Sequence, residues 1–244
     1  MACHLQLQKT IMKLEKVIDG SGRAAKRWYD DACGTAHAME LVGERWSLLI
    51  IRELMFGPRR FADLRRTLPG ISANVLTQRL AGLEAAGILQ RRRLPPPAAA
   101  QVYELTPWGY ECDVAIMALG RWAARSPEHD PTLPLSAASL MLSFRTMVSA
   151  DRLGSGRAEI GLQLGGDGFV ARLGGGTITI ARETPADVGA LLTGTPEAIA
   201  AVVYGGRPLG DAMQAGDVRV EGSRARAEWF VTLFPLPAKV GMPG

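Results

Sequence analysis

The chain has 244 residues, 47% of them hydrophobic, with a formal net charge of +4, the composition of a soluble globular protein with material for one large or two ordinary cores. No apolar run approaches the roughly 18 to 20 residues that span a bilayer, and Lys9, Lys13, Glu15 and Lys16 stand where a signal peptide needs apolar residues. Cys3, Cys33 and Cys112 are too far apart for a disulfide framework or a four-ligand zinc cluster, so a cytoplasmic protein with no membrane partner is expected.

The first residues, 1–25, carry Leu7, Ile11, Leu14 and Ile18 at helical spacing before Gly20-Ser21-Gly22, the pattern of a short amphipathic extension. Next comes an apolar stripe of Ala38, Leu41, Val42, Trp46, Leu49, Ile50 and Leu54, which predicts one helix with a broad buried face, ended by Gly57-Pro58. Phe61, Leu64 and Leu68 predict a short helix closed by Pro69-Gly70. Ser72 then caps another, with Val75, Leu76, Leu80 and Leu83 inward and Gly87 as its stop. A link of only a few residues between two such helices is the layout of a helix-turn-helix. Ile88 to Leu94 and Gln101 to Leu105 read as strands around Pro95-Pro96-Pro97-Ala98-Ala99-Ala100. Proline cannot donate to a ladder, so this insert is a loop, the wing. Thr106-Pro107 opens a helix carrying Val114, Met117, Leu119 and Trp122, ending near Ser126-Pro127.

Pro127, Pro131 and Pro134 mark a linker. Beyond it one helix is expected over Ser136 to Ser149, then strands at Ala158 to Leu164, Phe169 to Leu173 and Thr177 to Ala181 as antiparallel neighbours. Asp187 to Thr193 is ambiguous by periodicity. Pro196 to Tyr204 and Leu209 to Ala215 read as helices, Val218 to Glu221 as a strand and Arg224 to Leu233 as a closing helix. The class is α+β in both parts, with domains expected over 26–130 and 131–244.

Charge separates the two parts. Before Pro131 there are 18 basic and 14 acidic residues, and after it 10 of each, so the whole net charge belongs to the first part. Between Arg59 and Arg93 eight arginines face only Asp63 and Glu84, a local +6, which is the concentrated basicity a phosphate-binding surface needs. A helix starting at Ser72 projects Asn74, Thr77, Gln78 and Arg79 on its polar side. Asn and Gln can pair bidentately with adenine, and Arg with guanine, in the major groove of double-stranded DNA. Arg60, Arg65 and Arg66 on the preceding helix are placed for backbone contacts, which position a protein without reading sequence. Arg91, Arg92 and Arg93 alternate along a strand, so at most two of them, such as Arg91 and Arg93, share a face. One recognition helix covers few base pairs, which points to a homodimer on a near-palindromic operator, with the apolar helices Ala38 to Leu54 and Val114 to Trp122 as its surfaces.

Taken together, Arg59-Arg60-Phe61-Ala62-Asp63-Leu64, Pro69-Gly70-Ile71-Ser72, Leu76-Thr77-Gln78-Arg79-Leu80, Leu83-Glu84, Gly87, and Tyr103-Glu104-Leu105-Thr106 with Gly109 resemble the HxlR-type winged helix regulators. Leu41-Val42-Gly43-Glu44-Arg45-Trp46 looks like that family's first helix. The resemblance runs from about Lys26 to Arg125 and implies a dimeric bacterial transcription factor. The family usually has a longer basic side chain where Asn74 stands. Some members sense oxidants through an N-terminal cysteine, which makes Cys33 a redox candidate.

Farther on, Asp187 to Gly194, Thr195-Pro196-Glu197-Ala198, Gly205-Gly206-Arg207 and Ala215-Gly216-Asp217-Val218-Arg219-Val220-Glu221-Gly222 resemble the sterol carrier protein type-2 domain, over about Leu140 to Pro237. That likeness implies an antiparallel sheet covered by helices around an apolar ligand tunnel. Phe144, Met147, Leu162, Phe169, Leu191 and Phe230 are then candidate pocket residues for a hydrophobic small-molecule effector. His4, His37 and His129 have no metal-ligand spacing, and no serine or cysteine arrangement suggests an activated nucleophile, so neither enzyme activity, metal nor cofactor is expected. The alternative function is a lipid or small-molecule carrier whose winged helix mainly dimerises.

Overall fold

The structure is a computed structural model and describes residues 29–96 and 99–241. The extension expected over the first 25 residues lies outside the described residues, as does Cys3. Two compact units divide between Glu44 and Arg45. In the first, helix α1 (Gly34–Val42) is followed by Gly43, whose N–H caps Met39 O.

The second unit opens with α2 (Ser47–Leu54). The single helix expected over Ala38 to Leu54 is therefore two. Trp46 sits at φ 82, a left-handed conformation that a right-handed helix cannot pass through, and its carbonyl begins α2 afresh by accepting from Ile50 N. Helices α3 (Phe61–Thr67) and α4 (Ala73–Ala85), strands β1 (Leu89–Arg93) and β2 (Gln101–Leu105), and helices α5 (Pro107–Tyr110) and α6 (Asp113–Ala123) complete the winged helix. The core of this part is aliphatic. Ile50, Ile51 and Leu54 of α2 meet Leu64 and Leu68, the Leu76, Leu80 and Leu83 stripe of α4, and Leu89, Val102 and Leu105 of the hairpin, all buried. Thr106 caps α5 by accepting from Gly109 N at 3.0 Å.

Helix α7 (Ala137–Met147) stops two residues short of the expected end because Val148 turns extended, and a four-residue helix α8 (Ala150–Leu153) follows. Then come β3 (Ala158–Leu164), β4 (Asp167–Gly174), β5 (Thr177–Arg182), β6 (Ala190–Gly194), α9 (Pro196–Val203), α10 (Leu209–Gln214), β7 (Val218–Gly222) and α11 (Arg224–Val231). The strands form one sheet in the order β5-β4-β3-β6-β7.

That sheet is mixed rather than wholly antiparallel, because β6 pairs with β3 in parallel, Leu162 opposite Leu192. After β5 the chain must return across the sheet, and it does so in a short segment lying directly on the strands. Gly161 and Gly168 make room for it. A Cβ on Gly161 would stand 2.7 Å from Pro185 Cβ, and one on Gly168 only 2.8 Å from Glu183 O, closer than real side chains come. The aromatic core on the other side joins α7 to α11. Phe144 stacks on Phe234 at 4.3 Å, and Phe230 meets both edge-on at 5.5 and 5.0 Å.

Candidate nucleic-acid interface

The face that could meet a duplex is set by α4. Ser72 holds its N-terminus, accepting from Val75 N at 3.2 Å. Leu76, Leu80 and Leu83 recur at one turn's spacing and are buried, which leaves Asn74, Thr77, Gln78 and Ala81 on the opposite, exposed side. Thr77 Oγ1 donates back to Ala73 O at 2.9 Å, so its hydroxyl is partly committed to the helix. Asn74 and Gln78 lie one turn apart with their amides outward. Arg79 differs from the expected polar-face placement. It flanks the buried stripe of Leu76 and Leu80, so its side chain is half-buried.

The arginines around this helix fall into three groups. Arg60, Arg65 and Arg93 are exposed and have no acidic partner among the described residues. Arg66, Arg91 and Arg92 are exposed but paired, with Asp63 at 2.9 Å, Glu84 at 2.7 Å and Glu104 at 2.8 Å. Exposed pairs of this kind are worth little, so exchanging a carboxylate for a phosphate costs little. Glu84 belongs to α4, and the hydrogen bond from Arg91 holds its carboxyl below the usual carboxylate range. The hairpin register places Arg91 opposite Tyr103 and Arg93 opposite Gln101, so Arg91 and Arg93 share a face, and Arg91's bond to Glu84 turns that face toward α4.

Arg59 makes the third group alone. Its backbone bridges to Tyr103 of the wing through reciprocal bonds of 2.9 and 2.8 Å. Its buried guanidinium forks onto both carboxylate oxygens of Asp167 in β4, at 2.9 and 2.7 Å. Arg182 of β5 binds the same carboxylate, lies over the Phe169 ring at 4.8 Å and donates from Nε to Phe56 O at 3.2 Å. Burial pushes the Asp167 carboxyl up, but the hydrogen bond from Arg59 and the charge of Arg182 outweigh it and hold it below its ordinary value. Arg182 is depressed by burial and by the like charge of Arg59. Nearby, buried Glu53 accepts from Ser136 Oγ at 2.6 Å and from Arg52 at 2.9 Å. These contacts tie the winged helix to the sheet. Nothing in the local sequence around Arg59 distinguishes it from Arg60, and the contact to Asp167 spans 108 residues.

The six expected pocket residues are placed unevenly. Phe144, Leu162, Phe169 and Phe230 are wholly inaccessible, Phe169 packing edge-on against Phe56 at 5.8 Å. Leu191 is half-buried against the crossing segment beside Gly161. Met147 is the one that borders a sizeable recess, of about 540 Å3. Cys33 is exposed at the N-terminus of α1. The neighbouring Thr35 N–H and hydroxyl and the Ala36 N–H favour its thiolate and lower its pKa. Cys112 is half-buried and its thiol is pushed up by that burial. Among the described residues no cluster of three or more His, Cys, Asp or Glu could hold a metal, and no helix is long and apolar enough to cross a membrane.

The profile of the HxlR-like helix-turn-helix family matches residues 41–131. The HTH-type transcriptional regulator YodB of Bacillus subtilis is 36% identical over 96 residues, which cover 39% of this chain and 86% of YodB. An HTH-type transcriptional regulator of Mycobacterium bovis is 44% identical over 85 residues, covering 35% of this chain and 53% of that protein, about half its length. The solved reduced form of YodB aligns at 35% identity with a TM-score of 0.37, covering 41% of this chain and all of that one. The chain belongs to the HxlR-like helix-turn-helix family.

Proposed function

We propose that this protein is a sequence-specific, double-stranded DNA-binding transcriptional regulator that acts as a homodimer. The observation that carries this reading is the exposed Asn74, Thr77 and Gln78 face of a Ser72-capped helix, flanked by Arg60, Arg65 and Arg93, which have no acidic partner among the described residues. Had that face been packed within the protomer, no groove could reach it. Each bidentate amide contact with adenine is worth about 1 to 3 kcal/mol of discrimination. Dimerisation is supported by the two most exposed large apolar residues of α6, Val114 and Trp122, and by exposed Met39 on α1. Two helices then meet successive major grooves about 34 to 36 Å apart, or a multiple of that.

The part from residue 131 onward is the sensing domain in this reading. Its helix-covered five-stranded sheet supports the sterol carrier type-2 likeness. Cys33 supplies a second input, because an exposed thiol with a lowered pKa at a helix N-terminus is readily oxidised. Selecting duplexes from a randomised pool tests the core of this reading. Near-palindromic sites with half-sites one helical turn or a multiple apart are expected, and no enrichment sinks it. Alkylating Cys33 should change operator affinity in the native protein and leave a Cys33→Ser variant unaffected. An unchanged native protein removes the thiol input alone.

A further inference from the structure

Within the unit from Arg45 to Gly244, the winged helix and the part beyond residue 131 border an open recess of about 540 Å3. Its walls are apolar and come from four segments: Leu49 of α2, Ile116 and Leu119 of α6, Leu133 and Leu135 of the connecting stretch, and Leu142 of α7. It opens to solvent, and Leu49, Leu119 and Leu133 on its walls are exposed large apolar side chains, a contiguous apolar surface of the kind that marks a ligand or interaction site. Its volume falls in the range of small-molecule sites, roughly 300 to 1,000 Å3, and such sites are mostly apolar with a few convergent polar groups.

The polar group here is a pair. Ser143 Oγ and Tyr204 Oη, both on the wall, are 2.6 Å apart. Burial raises the Tyr204 pKa far above neutrality, so its hydroxyl stays protonated and the pair can offer one donor and one acceptor without charge. The charged groups on the lining are already engaged, Arg52 with Glu53 and Asp130 with Thr132. An anionic ligand would find the one guanidinium of the lining, Arg52, already paired.

The geometry of α6 argues that a second protomer does not fill this space. Ile116, Leu119, Gly120 and Ala123 line the recess at the spacing of one helix face. At about 100° per residue, Trp122 stands roughly 110° and Val114 roughly 170° around the helix from the centre of that face. These two are the most exposed large apolar residues of α6, at 73% and 68%. A dimer contact built on them leaves the recess side open.

We propose that this recess is an effector site for a neutral, largely apolar molecule of aromatic size that presents one hydrogen-bonding group to Ser143 and Tyr204. The inference deepens the ligand-responsive part of the reading above and rests on it only for the biological consequence. An occupant would brace α2 and α6 against α7. Because α2 also supplies Ile50, Ile51 and Leu54 to the core beneath α4, such bracing can alter how the recognition helix is held.

The test is titration of the full-length protein with the neutral fluorescent probe N-phenyl-1-naphthylamine, with operator binding measured on the same preparations. Saturable binding of one probe per chain is expected. Ala123→Trp, which places an indole in the mouth from an exposed position, should weaken it by about tenfold or more, equivalent to about 1.4 kcal/mol. Tyr204→Phe should weaken a naphthol competitor several-fold while sparing naphthalene, and Trp122→Ala should leave probe affinity unchanged. Absent saturation, or unchanged affinity in folded Ala123→Trp protein, overturns the site. So does probe binding that falls in Trp122→Ala in step with subunit dissociation, which would assign the recess to a second copy. Loss of the site with operator binding intact leaves the DNA-reading function standing. Probe binding that is sensitive to Ala123→Trp in a protein that binds no operator keeps the site and sinks the regulator reading.

Discussion

Arg59 and Arg60 are neighbours in the chain and opposites in the fold. Arg60 stands exposed at the start of α3 without an acidic partner among the described residues, whereas Arg59 is buried, pinned by its backbone to the wing and by its guanidinium to Asp167 of the sheet. The exposed arginines form a surface whose worth depends on salt and on a partner. Buried Arg59 and half-buried Arg182 form a joint whose worth depends on one carboxylate. A local charge count of +6 cannot tell the two uses apart, because what separates them is burial, and burial is decided by residues more than a hundred positions away.

The sharpest way to break this contrast is Asp167→Ala. It leaves two guanidiniums facing each other in a part-buried site and should destabilise the folded chain by about 2 kcal/mol, measured by urea unfolding. The same loss in an Arg60→Ala variant would refute the distinction. The joint also has a predictable acid limit. Because the folded Asp167 pKa is depressed, its contribution is fully present above the unfolded value near 3.9 and is lost as pH falls through the folded value. The wild-type advantage over Asp167→Asn should therefore stay constant between pH 6 and 8 and shrink only below about pH 4.

On the exposed side, Gln78→Ala should lower affinity for the selected operator by about 10- to 100-fold while leaving non-specific duplex binding unchanged, as read by fluorescence anisotropy. An equal loss on both duplexes would reassign Gln78 to the backbone. Ser72→Ala removes the cap of α4 and should cost about 1 kcal/mol of stability by urea unfolding. The smallest change is expected from Arg93→Ala, which should reduce the slope of log affinity against log salt by about 0.9. Arg92→Ala should reduce it less, because Glu104 already neutralises Arg92. Identical slopes would show that the hairpin's two faces are equivalent after all.

Much of the interface was legible in the sequence for local reasons. The cap at Ser72, the Leu76, Leu80 and Leu83 stripe and the alternation of Arg91, Arg92 and Arg93 follow from periods of 3.6 and 2, which no distant contact alters. Other expectations failed where local pattern carried no information. An apolar stripe continues through residues 43–46, so the break at Trp46 was hidden in the backbone conformation rather than in hydrophobicity. Strand candidates were found, but the parallel pairing of β3 with β6 depends on a crossing segment that only Gly161 and Gly168 admit. Phe144, Phe169 and Phe230 read as pocket residues because an apolar side chain looks the same whether it lines a cavity or fills one, and here they fill one.

The order of residues alone settled most of the local elements, the concentration of positive charge in the first part and the polar face of the Ser72-capped helix, since each depends on neighbours within a turn or a strand. Only the folded molecule decided which arginine is withdrawn to join the two parts, which apolar residues are core, and where the recess beside Ser143 and Tyr204 opens. Those outcomes arise from packing between segments far apart in the chain, and the free energy of burying a charge or an apolar wall is a property of the assembled surroundings, not of the residue that is buried.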